Sequence, residues 1–258
     1  MPDYLDVLAR DAKVTLAEGY YETANKTSAP SVSLKKAIFE NKQNAIITEV
    51  KAASPSRGTI KTGFNPSEIA KAMESGGATG ISVLTEPKHF SGSLGYLTKV
   101  RQTANLPILM KDIILNPVQI EAASKLGANV VLVIKAVFDR KYCELSLEEM
   151  ISQAHKKDLE VLLETHNATE FRSAIQTDAD LIGINNRDLR TLKVDIKTTQ
   201  KILNATSTDK VVVSESGVMN SSDLLFLRNC GAQAFLIGSS IMMADDIEKT
   251  VKEFVSAQ

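Results

Sequence analysis

The chain has no tryptophan, two cysteines (Cys143 and Cys230), three histidines (His89, His155 and His166) and only 5% aromatic residues. Two cysteines make neither a disulfide framework nor a metal cluster, and three scattered histidines do not supply a protein-built transition-metal site. Such sparing cysteine use fits a reduced, cytoplasmic setting. No apolar run approaches the about 18–20 residues that span a bilayer. The opening residues, Met1-Pro2-Asp3-Tyr4-Leu5-Asp6, lack the basic and apolar regions of a secretory signal. An excess of either charge is also missing. A formal net charge of -1 offers no general surface for nucleic acid or membrane. Neither G-x-G-x-x-G nor a Walker A sequence occurs, so dinucleotide and P-loop sites have no anchor. No linker and no low-complexity run divides the chain.

What is present is a regular alternation. With 258 residues, 43% of them hydrophobic and 24% charged, the chain can bury a sizeable core as one barrel or two small domains. Residues 1–44 read as an amphipathic, largely helical extension in which 33–41 is a short helix with Ser33 as its N-cap. Strand-like apolar runs then fall at 45–50, 79–84, 108–110, 130–134, 161–163, 181–184, 211–213 and 234–237. Helical patterns separate them at 66–75, 94–102, 117–126, 147–156, 168–176, 196–204 and 222–230, and both cysteines are expected in helical stretches. Eight such units predict an α/β fold, a (β/α)8 TIM barrel with a helical N-terminal extension, over 1–258 as a single domain. A doubly wound sheet is the rival, but it carries fewer strands and a glycine-rich loop.

The ends of the strands carry the chemistry. A barrel gathers the C-terminal ends of its strands at one face, where its active site lies. The first run closes on Glu49 and Lys51, two residues apart and so on one side of a strand. The third closes on Lys111-Asp112, the fifth on Glu164, the sixth on Asn185-Asn186-Arg187, the seventh on Glu215-Ser216-Gly217 and the eighth on Gly238-Ser239-Ser240. A salt-bridged, solvated strand end is the ordinary explanation of any one of these. Six converging on one mouth point to a site. Ser216-Gly217 and Gly238-Ser239 place small residues where backbone N–H groups can approach an oxyanion, ahead of a short helix opening at Ser240. Lys51 stands to add a cation to the same phosphate. Phe90, Ile113, Leu132 and Leu189 are candidates for an apolar wall. The loop 54–63 is a candidate lid, with Gly58 and Gly63 as hinges.

Taken together, these segments resemble indole-3-glycerol phosphate synthases. The resemblance rests on Glu49-Val50-Lys51-Ala52-Ala53-Ser54-Pro55-Ser56-Arg57-Gly58, on Ser82-Val83-Leu84-Thr85-Glu86 with Phe90 following, and on Pro107-Ile108-Leu109-Met110-Lys111-Asp112. It continues through Gly183-Ile184-Asn185-Asn186-Arg187-Asp188-Leu189, Glu215-Ser216-Gly217 and Phe235-Leu236-Ile237-Gly238-Ser239. Two departures stand out: Ile113 where the family usually has Phe, and Glu164-Thr165-His166 in place of the more usual aliphatic residue after the glutamate.

The resemblance implies ring closure of 1-(2-carboxyphenylamino)-1-deoxyribulose 5-phosphate with loss of carbon dioxide and water, in tryptophan biosynthesis. It implies Lys111 as the acid of ring closure, Glu164 as base and Lys51 as acid of the dehydration, with Glu49 and Glu215 holding the lysines and sugar hydroxyls. Asn185 would orient an oxygen. Ser54, Phe90, Ile113, Leu132, Arg187, Leu189, Ser216, Gly217, Gly238 and Ser239 would bind the substrate and its phosphate. No cofactor and no metal is called for; the expected partner is the small sugar-phosphate substrate, with neither nucleic acid nor membrane. A monomer, and contact with other enzymes of the tryptophan pathway, both stay open. The alternatives are a phosphoribosylanthranilate isomerase-like enzyme, a Schiff-base aldolase, and a barrel that binds a phosphate ligand without turning it over.

Overall fold

A computed structural model describes residues 3–23, 26–27, 30–54 and 58–258. The middle of the first motif, Pro55-Ser56-Arg57, lies outside them, and with it part of the candidate lid. Eight parallel strands close into a barrel: β1 (Ala45–Val50), β2 (Gly80–Leu84), β3 (Ile108–Lys111), β4 (Val130–Ile134), β5 (Glu160–Thr165), β6 (Leu181–Asn185), β7 (Val211–Glu215) and β8 (Ala234–Ile237). Each strand pairs with its neighbours in chain order, and β1 closes on β8 through Ala45↔Ala234 to Thr48↔Ile237. The expected TIM barrel is the fold.

The helices follow the strands with caps legible in the sequence. α1 (Tyr4–Ala17) starts at Asp3 in a reciprocal capping box with Asp6, and α2 (Leu34–Glu40) starts at Ser33, as expected. Next come α3 (Pro66–Ser75), α4 (Leu94–Arg101), α5 (Pro117–Lys125), α6 (Lys135–Asp139), α7 (Leu147–His155) and α8 (Ala168–Ala174). The series ends with α9 (Lys197–Ala205), α10 (Ser221–Asn229), α11 (Ser239–Met242) and α12 (Ile247–Ser256). Periodicity alone missed α6, α12 and a small hairpin, Ala53–Ser54 against Gly58–Thr59. Cys143 corrects another expectation: it lies between α6 and α7, outside any helix, while Cys230 caps the end of α10.

Four strands run further than their apolar cores, β3 and β6 by one polar residue, Lys111 and Asn185, and β5 and β7 by two. β5 reaches Thr165 and β7 reaches Glu215 because the parallel ladder continues past the last apolar residue, through Ile134↔Glu164 and Asn185↔Glu215. A buried polar residue is tolerated where the backbone on both sides is already paired.

Alternation along the strands divides the core in two. Ile46, Ile81, Ile108, Met110, Val131, Leu163, Ile184 and Val212 face outward into a layer shared with the helices. Ile47, Leu109, Val130, Leu132, Leu162, Leu181, Val213 and Leu236 face inward and fill the barrel as a separate cluster. Two residues further along five of these rows stand Glu49, Lys111, Glu164, Glu215 and Gly238. The two-residue period that buries the plug therefore aims the charged side chains into the mouth above it.

The N-terminal extension serves both ends of the barrel. α2 closes the bottom: Leu34 packs at Gly80, and Glu160, at the start of β5, accepts from Leu34 N at 2.8 Å. α1 lies at the mouth, where Arg140 pairs with Asp3 and Asp6, and His89 bridges Tyr4 Oη (3.0 Å) and Asp11 (2.8 Å). Of the extension, α1 therefore leans over the mouth and α2 does not.

Candidate active site

A cavity of about 380 Å³ opens at the C-terminal ends of the strands. Glu49, Lys51, Lys111, Glu164, Asn185, Ser54, Phe90, Ile113, Leu132, Arg187, Leu189, Ser216, Gly217, Gly238 and Ser239 all line it. Glu215 does not. It is fully buried one level lower, beneath Lys111.

Five charged groups form the floor. Lys111 Nζ donates to Glu215 Oε2 at 2.7 Å and lies 3.5 Å from Glu164 Oε2. Burial opposes the charge on Lys111, but Glu215, Glu164 and Glu49 more than offset it and raise its pKa above the ordinary lysine value. Lys51 and Glu49 form a second, close ion pair. Burial pushes Glu215 up, and the neighbouring Glu164 adds to the shift against the pull of Lys111, so its carboxyl sits above the usual range. Burial would do the same to Glu164. Lys111 and then His166 reverse it, leaving Glu164 below the usual carboxylate range. Two buried carboxylates thus share one lysine with opposite shifts, the arrangement that separates a standing base from a group that takes a proton.

The opposite wall is shaped for a small anion. Ser216 and Gly217 are successive left-handed residues, with φ of 66° and 98°. A Cβ on Gly217 would stand 2.7 Å from Ile196 Cγ2, so neither backbone nor space admits a side chain. Ser240 Oγ donates to Val218 O at 3.0 Å and ties this loop to α11. A Cβ on Gly238 would stand 2.9 Å from Lys51 Nζ, which places that ammonium against the β8–α11 turn. Ser54 Oγ is buried with no hydrogen-bond partner among the described residues. Arg187 braces its own loop, donating to Leu192 O at 3.0 Å, and that loop presents Leu189, Leu192 and Val194 to the cavity.

The strand-end reading gave no role to Tyr4, Leu8, Glu86 and Asp112 of the lining, although Asp112 stood in it beside Lys111. Tyr4 and Leu8 roof the cavity from α1, a contact that no local signal announces. Glu86 accepts from the backbone N–H groups of Lys88, His89 and Phe90, at 3.0, 2.7 and 3.0 Å, and so folds the loop that offers Phe90. Asp112 follows Lys111 and accepts from Tyr21 Oη at 2.9 Å and Ile113 N at 2.7 Å. Burial raises its carboxyl to about 6 against the pull of Thr85, Tyr21 and Ile113 N. An acidic residue beside the strand-end lysine was the available signal.

Fold and site together define a barrel enzyme with an acid–base cluster and an anion cradle at one mouth. The family model described as indole-3-glycerol phosphate synthase matches residues 5–254, and the chain belongs to that family. Its members named indole-3-glycerol phosphate synthase include one from Caldanaerobacter subterraneus subsp. tengcongensis, 41% identical over 92% of this chain and 89% of that one. Another, from Acetivibrio thermocellus, is 42% identical over 84% of this chain and 82% of its own length. Among solved structures, a thiamine phosphate pyrophosphorylase from Pyrococcus furiosus superposes with a TM-score of 0.61 at 17% identity, covering 84% of this chain and 95% of that chain. At that identity the likeness is one of fold.

Proposed function

We propose that this chain closes the indole ring of 1-(2-carboxyphenylamino)-1-deoxyribulose 5-phosphate, as a carboxy-lyase of tryptophan biosynthesis working as one barrel domain. The observation that carries the assignment of roles is Lys111, held 2.7 Å from Glu215 and 3.5 Å from Glu164 at the centre of the mouth. In ring closure the aryl carbon bearing the carboxylate attacks the ketone carbon. The Lys111 ammonium gives its proton to the oxygen as negative charge builds there. Breaking the bond to the carboxylate then releases carbon dioxide and returns its electron pair to the ring.

Dehydration needs an acid and a base on opposite sides. Lys51 protonates the departing hydroxyl, which leaves as water, and Glu164 takes the proton from the adjacent carbon. Glu164 is fitted to this because it stays ionised where an isolated buried carboxyl would not. Glu215 and Glu49 hold the two lysines charged, and Asn185 orients an oxygen of the substrate. The phosphate rests on Ser216, Gly217, Gly238 and Ser239 with Ser54 and Lys51 beside it, and Arg187 steadies the cradle's neighbouring loop. The aryl ring lies against Phe90, Ile113, Leu132 and Leu189. Two free cysteines and the absence, among described helices, of one long and apolar enough to cross a membrane support a cytoplasmic reading.

The isomerase alternative loses ground on position: Cys143 and Cys230 lie away from the cavity lining, while the first strand ends in Glu-x-Lys. Offering the carboxyphenylamino sugar phosphate and following indole fluorescence tests the proposal. Turnover supports it; a folded protein with no product, or a borohydride-trapped adduct at Lys111, overturns it.

A further inference from the structure

The one motif that the mechanism leaves unused is Glu164-Thr165-His166. Glu164 points into the mouth, but His166, just past the end of β5, lines a separate cavity of about 690 Å³ outside it. Asn185 borders both cavities, so β5 and β6 form the partition between them. His166 Nε2 lies 3.1 Å from Glu164 Oε1, an ion-pair contact with off-line hydrogen-bond geometry, and Nδ1 lies 3.4 Å from Glu170 Oε2. The imidazole is thus gripped from two sides by carboxylates, and it has only 11% of its side chain exposed.

The outer carboxylate is itself anchored. Glu170 stands in the first turn of α8 and accepts from His166 N at 2.8 Å, while its other oxygen accepts from Asn167 Nδ2. The remaining charged groups around the outer cavity are Arg140, Asp188, Arg190, Lys193 and Asp195. Arg140 is taken up by Asp3 and Asp6, and Arg190 by Asp188. Thr165 Oγ1, between the two functional residues, donates to Gly183 O at 2.7 Å and clamps β5 to β6 at this level.

We propose that His166 is a positioning residue for the base: as an imidazolium strung between Glu164 and Glu170, it fixes Glu164 Oε1 outward and leaves Oε2 facing Lys111 and the substrate. This rests on the reading of Glu164 as the base. The two contacts account for a ring that stays protonated well above its ordinary range: burial lowers its proton affinity, and Glu164 and Glu170 together raise it to about 10. Lys111 and His166 then act on opposite oxygens of one carboxylate. The lysine belongs to the chemistry, and the histidine sets the angle and the ionisation of its partner.

The test uses the full chain and two readouts. In nitrogen NMR the three histidines are few enough to assign by substitution; His166 is expected to keep both ring nitrogens protonated at pH 8. A ring that titrates near 6.5 overturns the inference. In kinetics, His166→Asn is expected to lower kcat by about tenfold or more with KM within a few-fold. The acidic limb of its kcat/KM profile should move up by about 1–3 pH units as Glu164 loses its cation. Glu170→Gln, which leaves the mouth intact, should move the same limb by less. Unmoved profiles in both variants also overturn it. If His166→Asn does not fold, Glu170→Gln and the wild-type spectrum still decide. Full activity in Glu164→Gln would instead sink the reading of the base, an outcome separate from these.

Discussion

Lys111 and Glu215 are buried partners: the carboxylates around Lys111 raise its pKa against burial, while burial raises that of Glu215 against the pull of Lys111. Replacing Lys111 by Met removes the proton donor of ring closure, and kcat/KM is expected to fall by about 10²–10⁴-fold in the fluorescence assay. It also leaves Glu215 fully buried without its cation. Because the folded-state pKa of Glu215 is already raised, the variant can take up a proton there instead of keeping a bare charge. Its melting temperature relative to wild type should therefore fall as pH rises from about 6 to 9, where that proton is lost. Asp112 gives a second residue-scale prediction. Its carboxyl is raised from 3.8 to about 6, so the native state binds a proton more tightly than the unfolded chain. The stability it contributes is complete below about pH 4 and declines as pH rises through about 6. Thermal melts of wild type against Asp112→Asn should diverge across that window, by on the order of 2–3 kcal/mol in favour of the variant.

At the scale of elements, the parity of the strands is what makes a site from scattered residues. Leu109 and Lys111, Leu162 and Glu164, Val213 and Glu215 are pairs two apart, the first member packed in the barrel plug and the second above it. Glycine enters where two such rows meet: a Cβ on Gly183 of β6 would collide with Glu215 Oε1 and lie 3.4 Å from the Glu164 backbone. Gly183→Ala should push Glu215 off Lys111 and reduce kcat by about tenfold or more while the barrel still folds, seen as a retained far-UV spectrum beside lost turnover. Wild-type kcat would show that the carboxylate has room to move. Helix caps such as the Ser146–Glu149 and Asn220–Asp223 boxes fix where the crossovers begin, and so how long each strand-end loop can be.

For the molecule as a whole, the extension couples the two ends of the barrel. α2 seals the bottom through Leu34 and Glu160, and α1 roofs the mouth through Tyr4 and Leu8, held there by Arg140 and His89. The Arg140 ion pairs are partly exposed and contribute little to stability. Arg140→Ala should therefore leave the melting temperature within a few degrees but raise KM several-fold, because a roof less firmly held closes less often over the substrate. Unchanged KM would reduce α1 to simple packing.

Much of this was legible in the residues themselves. Eight apolar runs at regular spacing, helix caps such as Ser33, and charges closing the strands depend on local propensity and on the two-residue period of a strand, which sequence carries directly. Cys143 and the late ends of β5 and β7 were misread because solvent exposure and ladder pairing are set by neighbours distant in the chain. The same holds for Tyr4 and Leu8 in the roof, for Glu215 lying under Lys111 and outside the cavity lining, and for His166 facing away from the mouth. The order of elements was written in the chain. Which carboxylate faces which cation was decided only when closure of the barrel set Lys111, Glu164 and Glu215 within a few ångströms and removed them from water, where a charge must find a partner or change its protonation.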